Sequence, residues 1–498
     1  MDLETLLSYP WGIMMPEFII LGVATFLSLL DLFLKDKVDR KIIAWLGLAG
    51  IGVALLFVIK NINEPIQHIL YETFRLDGFA IGFKLIFLVG AALVFLLSLD
   101  YIKKKDTPHE AEYYYLILTA VLGAMILASS ADMITMFIGL ELLSLSTYIL
   151  VGMRKKRLQS NESAFKYVVN GGIATAITLY GLSFVYGLTG TTNLYVVAER
   201  LPIALQQGYD LVIFFAFFLT FVGLAFKIAV IPFHMWTPDV YQGAPTPITA
   251  FLSVVSKAAG FAFILRFFLI SFNIYDPASG QIMVFSQTTV FIGIIAAITI
   301  IVGNVIALRQ TNVKRMFAYS SVAQAGYILV PFAVFSPYML DMMLFYLVAY
   351  LFMNIGAFAI IQAVSQDTGT EELSGFAGLY HRSPFQAVTM SIFLISLAGL
   401  PVTAGFFGKF YIFLGSLDAG NWWLATVMVL GSVISYYYYF GVIRQMYLRA
   451  GSETSLNTTY GIGTVIVLCT FGTLLLGVFP SYALDFFASN FNIYDIFR

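Results

Sequence analysis

The sequence predicts an all-α polytopic membrane protein of about 14 transmembrane helices, and three observations carry that reading. Of the 498 residues, 60% are hydrophobic and only 11% are charged, where a soluble chain carries roughly 25% charged residues. The apolar residues fall into runs close to the ~20 residues that a bilayer-crossing helix needs. The basic residues gather on alternate loops, which is the pattern of a chain threaded repeatedly through a membrane.

The runs place spans at 15–34, 42–60, 78–98, 113–129, 131–152, 163–187, 211–231, 247–271, 288–307, 314–334, 339–364, 385–415, 423–443 and 461–482. Only "SSAD" separates the fourth from the fifth. The start "MDLETLLSYPWGIM" lacks the basic stretch of a cleavable signal, so the first run is read as a retained span. Two segments are too long for one straight crossing: the seventh with its tail, 211 to about 243, and the twelfth, 385–415.

The odd-numbered loops hold seventeen basic residues, among them Lys35, Lys37, Arg40, Lys103 to Lys105, Arg154 to Arg157, Lys314 and Arg315; the even loops and termini hold four, Lys60, Arg75, Arg200 and Arg498. The positive-inside rule then puts odd loops in the cytoplasm and both termini outside. The lone cysteine, Cys469, excludes a disulfide framework and a Cys-built iron–sulfur site. The four histidines have no metal spacing, nucleotide-binding glycine motifs are absent, and a net charge of −1 points to no nucleic-acid partner.

Six basic residues fall inside spans. Lys84, Lys166 and Arg266 lie near span ends, where long stems snorkel to the headgroups. Lys227, Lys257 and Lys409 lie deeper, and Glu141 in "MFIGLELLSLSTYILVG" is the one acid at a span centre. An ionised group at mid-membrane costs roughly 2.5–3.5 kcal/mol even on the lenient insertion scale, so these four cost roughly 10 kcal/mol if unpaired. Glu141 and Lys227 locked as one structural pair would account for two of them. Four groups, three of one sign, do not neutralise one another, and a chain of titratable groups does account for them.

Both over-long segments carry helix breakers. "FKIAVIPFHMWTPDVYQGAPTP" sets Pro232 five residues after Lys227. "SLAGLPVTAGFFGKFYIF" sets Pro401, with Gly399, Gly405 and Gly408, before Lys409. Proline and glycine are common in membrane helices, but paired interruptions in corresponding halves mark transport sites between inverted repeats. Spans 4–8 and 9–13 are expected to be two inverted five-helix repeats, each with a broken helix (spans 7 and 12). The expected domains are 1–112, three helices; 113–272, the first repeat; 288–450, the second; and 451–498, the last helix and tail. His234 is read either as a proton relay between Lys227 and Lys257 or as a cap on the break beside Trp236. Lys314, at the head of span 10, is read as a topological charge or a relay. The tyrosines 436–439 and Trp422–Trp423 read as interface and packing residues.

"PFHMWTPDVYQGAPTPITAFLSVVSKAAGF", "RQTNVKRMFAYSSVAQAGYIL" and "SLAGLPVTAGFFGKF" closely resemble the subunit N family of proton-translocating NADH–quinone oxidoreductase (respiratory complex I), one of the antiporter-like subunit families related to Mrp-type sodium/proton antiporters. The resemblance covers essentially the whole chain. It implies proton translocation driven by quinone reduction elsewhere in the complex, with Glu141, Lys227, Lys257 and Lys409 matching the family's acid and lysines. It also implies no redox centre in this chain, with FMN, iron–sulfur clusters and quinone in partner subunits. The implied partners are other membrane subunits, including neighbouring antiporter-like ones, in a bacterial inner membrane. Sister subunits carry a histidine in the eleventh helix, where this chain has Tyr350 and Asn354, and the chain ends soon after its fourteenth span. The alternative is an Mrp-type cation/proton antiporter subunit. The mechanism expected is a switchable Glu141–Lys227 ion pair that hands a proton along Lys257 to Lys409.

Overall fold

The computed structural model describes residues 7–35, 38–71, 73–101, 110–272, 275–276, 281–334, 337–451, 455–456, 458–491 and 495–496. Lys37, Lys103 to Lys105 and Arg498, which enter the count of loop charges, lie outside them. Among the described residues, thirteen helices are long and apolar enough to cross a membrane. The expected twelfth span is not among them because it is two helices of fifteen residues, Pro384–Ala398 and Ala404–Asp418. The seventh is likewise divided, into Asp210–Ile228 and the short helix Trp236–Gly243. "SSAD" does separate two helices: Glu110–Ser129 ends there, and Asp132 caps Met133–Val151 by accepting from the Thr135 amide at 3.0 Å, the usual N-cap bond.

The sixth and eleventh helices are longer than the apolar runs suggest. Leu158–Thr189 and Pro337–Thr368 each span 32 residues. Each is closed by a glycine in the left-handed region, Gly190 (φ 65°) and Gly369 (φ 71°), the conformation that a residue without Cβ adopts freely. Just beyond each, one residue pairs like a strand with the residue that opens the preceding helix: Asn193 with Asp132, and Glu372 with Asn312. Both pairings use the same two bonds. Met133 N–H donates to Thr192 O and Leu194 N–H to Ala131 O, while Val313 N–H donates to Glu371 O and Leu373 N–H to Thr311 O, all at 2.8–2.9 Å. An extra helix, Leu194–Gln206, joins the sixth span to the seventh; the apolar pattern gave no sign of it.

The eighth helix is the centre of the molecule, with every residue from Thr246 to Ser271 buried. It contains a π turn, Leu252–Ser256, directly before Lys257; such turns are rare and gather at functional sites. The outer helices expose Leu21, Phe26, Leu56, Ile173, Val433 and Phe471 among other large apolar side chains, as a surface dissolved in lipid requires.

Two of the three charges expected to snorkel do not. Lys84 is fully buried, with its Nζ 2.7 Å from Glu17 of the first helix and over the Phe74 ring. Arg266 is fully buried and forks onto both carboxylate oxygens of Asp77, at 2.7 and 2.9 Å. Burying an unpaired charge costs far more than pairing it, and both partners are remote in sequence, so reading each segment alone did not find them. Lys166 is partly exposed and pairs with Glu162 and Asp239, each at 2.6 Å.

Candidate functional site

The two broken helices close their first halves alike. At Ala229 (φ 58°) and at Gly399 (φ 84°) the chain turns into the left-handed region. Ala229 and Val230 return their amides to the carbonyls of Phe226 and Ala225, and Gly399 and Leu400 return theirs to Ser396 and Ile395, at 3.0–3.2 Å. This is the paired closure that satisfies the last carbonyls of a helix. Ala229 carries a Cβ into a conformation that costs an L-residue about 1–2 kcal/mol; Gly399 does not.

Carbonyls beside each break also accept from side chains of different charge. In the seventh helix the indole of Trp236 donates to Phe226 O at 3.0 Å. In the twelfth the ammonium of Lys409 donates to Leu397 O at 2.8 Å and lies 4.5 Å from the Tyr327 ring centre. Trp236 therefore caps the break beside Pro232, and His234 meets the Pro232 backbone as well. His234 is buried against Tyr319, and its Nδ1 has no hydrogen-bond partner among the described residues. The amide of Ile231, exposed by the break, donates to Thr299 Oγ1 of the ninth helix at 3.1 Å.

Lys227 is buried and donates to Ser144 Oγ at 3.0 Å, one turn along the fifth helix from Glu141. Glu141 instead accepts from Thr175 Oγ1 at 2.8 Å. The expected Glu141–Lys227 ion pair is not formed in this structure: a serine hydroxyl of the acid's own helix stands in the lysine's donor shell. Gly260, one turn beyond Lys257, packs against the Lys227 stem; a Cβ there would sit 3.3 Å from Lys227 Cγ.

Lys257 donates to the carbonyl and hydroxyl of Ser321 in the tenth helix, at 2.6 and 2.5 Å. Ser321 Oγ also meets the Tyr241 hydroxyl at 3.1 Å, so the short second half of the seventh helix touches the same point. One residue back, Ser320 Oγ meets Tyr439 OH at 2.5 Å, and Tyr438 OH donates to Asn304 at 2.8 Å. Tyr438 and Tyr439 are thus buried members of a hydroxyl network, on the packing side of their reading as interface and packing residues, while Tyr437 is widely exposed. Asn354, in the eleventh helix, donates to Ser253 Oγ of the π turn at 2.6 Å.

Lys314 stands apart from the three lysines. It is buried and donates to the carbonyls of Gln242 and Ala244, which end the helix Trp236–Gly243, and to Glu371 at 3.0 Å. No group of three or more metal-ligating side chains occurs among the described residues. Sequence reading missed Ser144, Thr175, Ser321 and Gln324. Each is an uncharged polar residue in a membrane helix, where hydroxyls most often bond their own backbone.

Fold and site together define a class: a polytopic helical membrane protein with buried ammonium groups seated at and between two helix breaks. The comparisons with known proteins narrow it. Residues 130–435 match the family described as NADH:quinone oxidoreductase/Mrp antiporter, TM. The NADH-quinone oxidoreductase subunit N of Brevibacillus brevis is 53% identical over 99% of this chain and 97% of its own. A chain of respiratory complex I from Thermus thermophilus with bound aureothin is 30% identical, with a TM-score of 0.79 over 96% of this chain and 100% of that one. A chain of the Mrp complex from Dietzia sp. shares the fold, with a TM-score of 0.83 over 99% of this chain and 98% of that one at 19% identity. The chain belongs to the NADH-quinone oxidoreductase subunit N family.

Proposed function

We propose that this chain is the proton-translocating, antiporter-like subunit of a bacterial NADH–quinone oxidoreductase, and that it moves protons through Glu141, Lys227, Lys257 and Lys409. The observation that carries the site assignment is that each lysine is buried and held only by neutral oxygens: Ser144 for Lys227, Ser321 for Lys257, Leu397 for Lys409. A structural ion pair would look like Lys84–Glu17; these three have no such partner among the described residues. An ammonium held by neutral oxygens is stabilised less than one facing a carboxylate, so a small movement of charge decides whether it keeps its proton.

The proposed step begins at Glu141. When its carboxylate turns from Thr175 toward Lys227, the ammonium gains a counter-charge; when it turns back, Lys227 is driven to pass its proton along the axis to Lys257. Lys257 hands it toward Lys409 at the exit. His234 and Lys314 are candidate relays: His234 sits by the first break with an unpartnered nitrogen, and Lys314 at the inner end of its second half.

The inverted repeats belong to the same proposal. Helices four to eight and nine to thirteen would be the two units, within 113–272 and 288–450, flanked by 1–112 and 451–498. Their support is the shared closure of the sixth and eleventh helices and the paired breaks. Both termini would face the periplasm, and flavin, iron–sulfur clusters and quinone would belong to partner subunits. The experiment that separates this reading from an Mrp-type antiporter is purification from the membrane in mild detergent. Co-purification with NADH-oxidising, flavin- and iron–sulfur-containing subunits is expected; recovery with other antiporter-like subunits and no redox centre would overturn it.

A further inference from the structure

One side chain ties the far lysine to the middle of the polar chain. Gln324 lies in the tenth helix, one turn beyond Ser320 and Ser321, and is buried. Its Nε2 donates to Leu397 O at 3.1 Å and to Tyr439 OH at 3.4 Å, and its Oε1 accepts from Tyr346 OH. Leu397 O is the same carbonyl on which Lys409 rests. A carbonyl at a helix end has two lone pairs and no intrahelical partner, so it serves both donors at once. Tyr439 in turn holds Ser320, whose neighbour Ser321 carries Lys257. An amide with donor and acceptor both engaged in a buried site has one orientation.

We propose that Gln324 is a positioning residue for Lys409. By holding the Leu397 carbonyl and orienting Tyr439 and Tyr346, it sets where the Lys409 ammonium docks and links that position to the serines under Lys257. The amide itself carries no proton. Neutral amides and hydroxyls span the distance between Lys257 and Lys409, and Gln324 is their junction. The inference rests on the proton-path reading above.

The test uses the assembled complex reconstituted in vesicles. Gln324→Leu keeps the volume and removes the bonds. It should lower proton-coupled quinone reduction by about fivefold or more, the scale of one lost hydrogen bond between neutral groups, and shift its pH profile. NADH oxidation by a soluble artificial acceptor should be unchanged, which reports assembly. Gln324→Glu should work as an acid donor at low pH and fail as pH rises, because its carboxylate would trap Lys409. A wild-type rate and pH profile in Gln324→Leu would overturn the proposal. If that variant does not assemble, Gln324→Glu decides, and a pH profile like the wild type's overturns it. Lys409→Ala keeps the two claims apart: normal pumping there refutes the proton path itself, whereas lost pumping there with normal Gln324→Leu refutes only the positioning role.

Discussion

Lys84 and Glu17 sit in the third and first helices, both buried, and serve as a reference for what a purely structural charge pair looks like in this protein. Removing one partner strands the other, at a cost of about 3–5 kcal/mol, while replacing both by apolar residues of similar size is close to neutral. Lys84→Met should therefore sharply lower the thermal stability of the purified complex, and Glu17→Leu/Lys84→Met should restore most of it. Lys257 behaves differently, because its partner is a neutral serine. Ser321→Ala keeps the carbonyl contact and removes the hydroxyl, a bond to a charged group worth about 1.5–3 kcal/mol; proton translocation should fall roughly tenfold, with a loss of stability smaller than that of Lys84→Met. A loss of stability equal to that of Lys84→Met would instead make Ser321 structural. Outside the spans, Asp239 joins Lys166 and Arg315. Burial pushes its carboxyl up, but the hydrogen bonds and charges of Lys166 and Arg315 together outweigh it and hold it below the usual range. Its folded-state value is depressed, so its stabilisation is present above the ordinary carboxylate pKa and is lost only as pH falls through the depressed one. A melting temperature that changes between pH 6 and 8 in wild type but not in Asp239→Asn would contradict this.

At the scale of the element, the two helix breaks were legible because their residue types leave a mark: proline cannot donate within a helix, and glycine permits the left-handed closure. Lys227 and Lys409 were legible for the opposite reason, as charges that an apolar run has no local use for. What the lysines rest on was not legible. Ser144, Ser321 and Leu397 are chosen through space, and a backbone carbonyl has no residue type at all. Gly399 shows the coupling of break and site, since a Cβ there would lie 3.1 Å from Lys409 Cδ in a conformation with φ 84°. Gly399→Ala should cost about 1–2 kcal/mol of backbone strain and displace Lys409, so coupled turnover should fall several-fold. Gly441, with nothing within 4 Å of its would-be Cβ, is the control: Gly441→Ala should leave turnover unchanged.

At the scale of the molecule, the spans were legible in the apolar runs, which report contact with lipid directly, while the sidedness read from loop charges stays a proposal. The helix Leu194–Gln206 and the ends of the sixth and eleventh helices were not legible, because they lie where hydropathy no longer discriminates. The cysteine background suits a topology test, as Cys469 is buried. Glu64→Cys and Ser489→Cys should react with a membrane-impermeant maleimide on intact cells, and Lys155→Cys only after permeabilisation; the reverse would invert the proposed orientation.

Whether the buried lysines carry protons or hold the fold together is decided by measuring protons moved per NADH oxidised in vesicles containing the complex with Lys257→Ala. A preserved NADH oxidation with an artificial acceptor, together with a lower proton yield and slower coupled quinone reduction, is the predicted result. An unchanged proton yield at normal coupled turnover would contradict the proton-carrying reading.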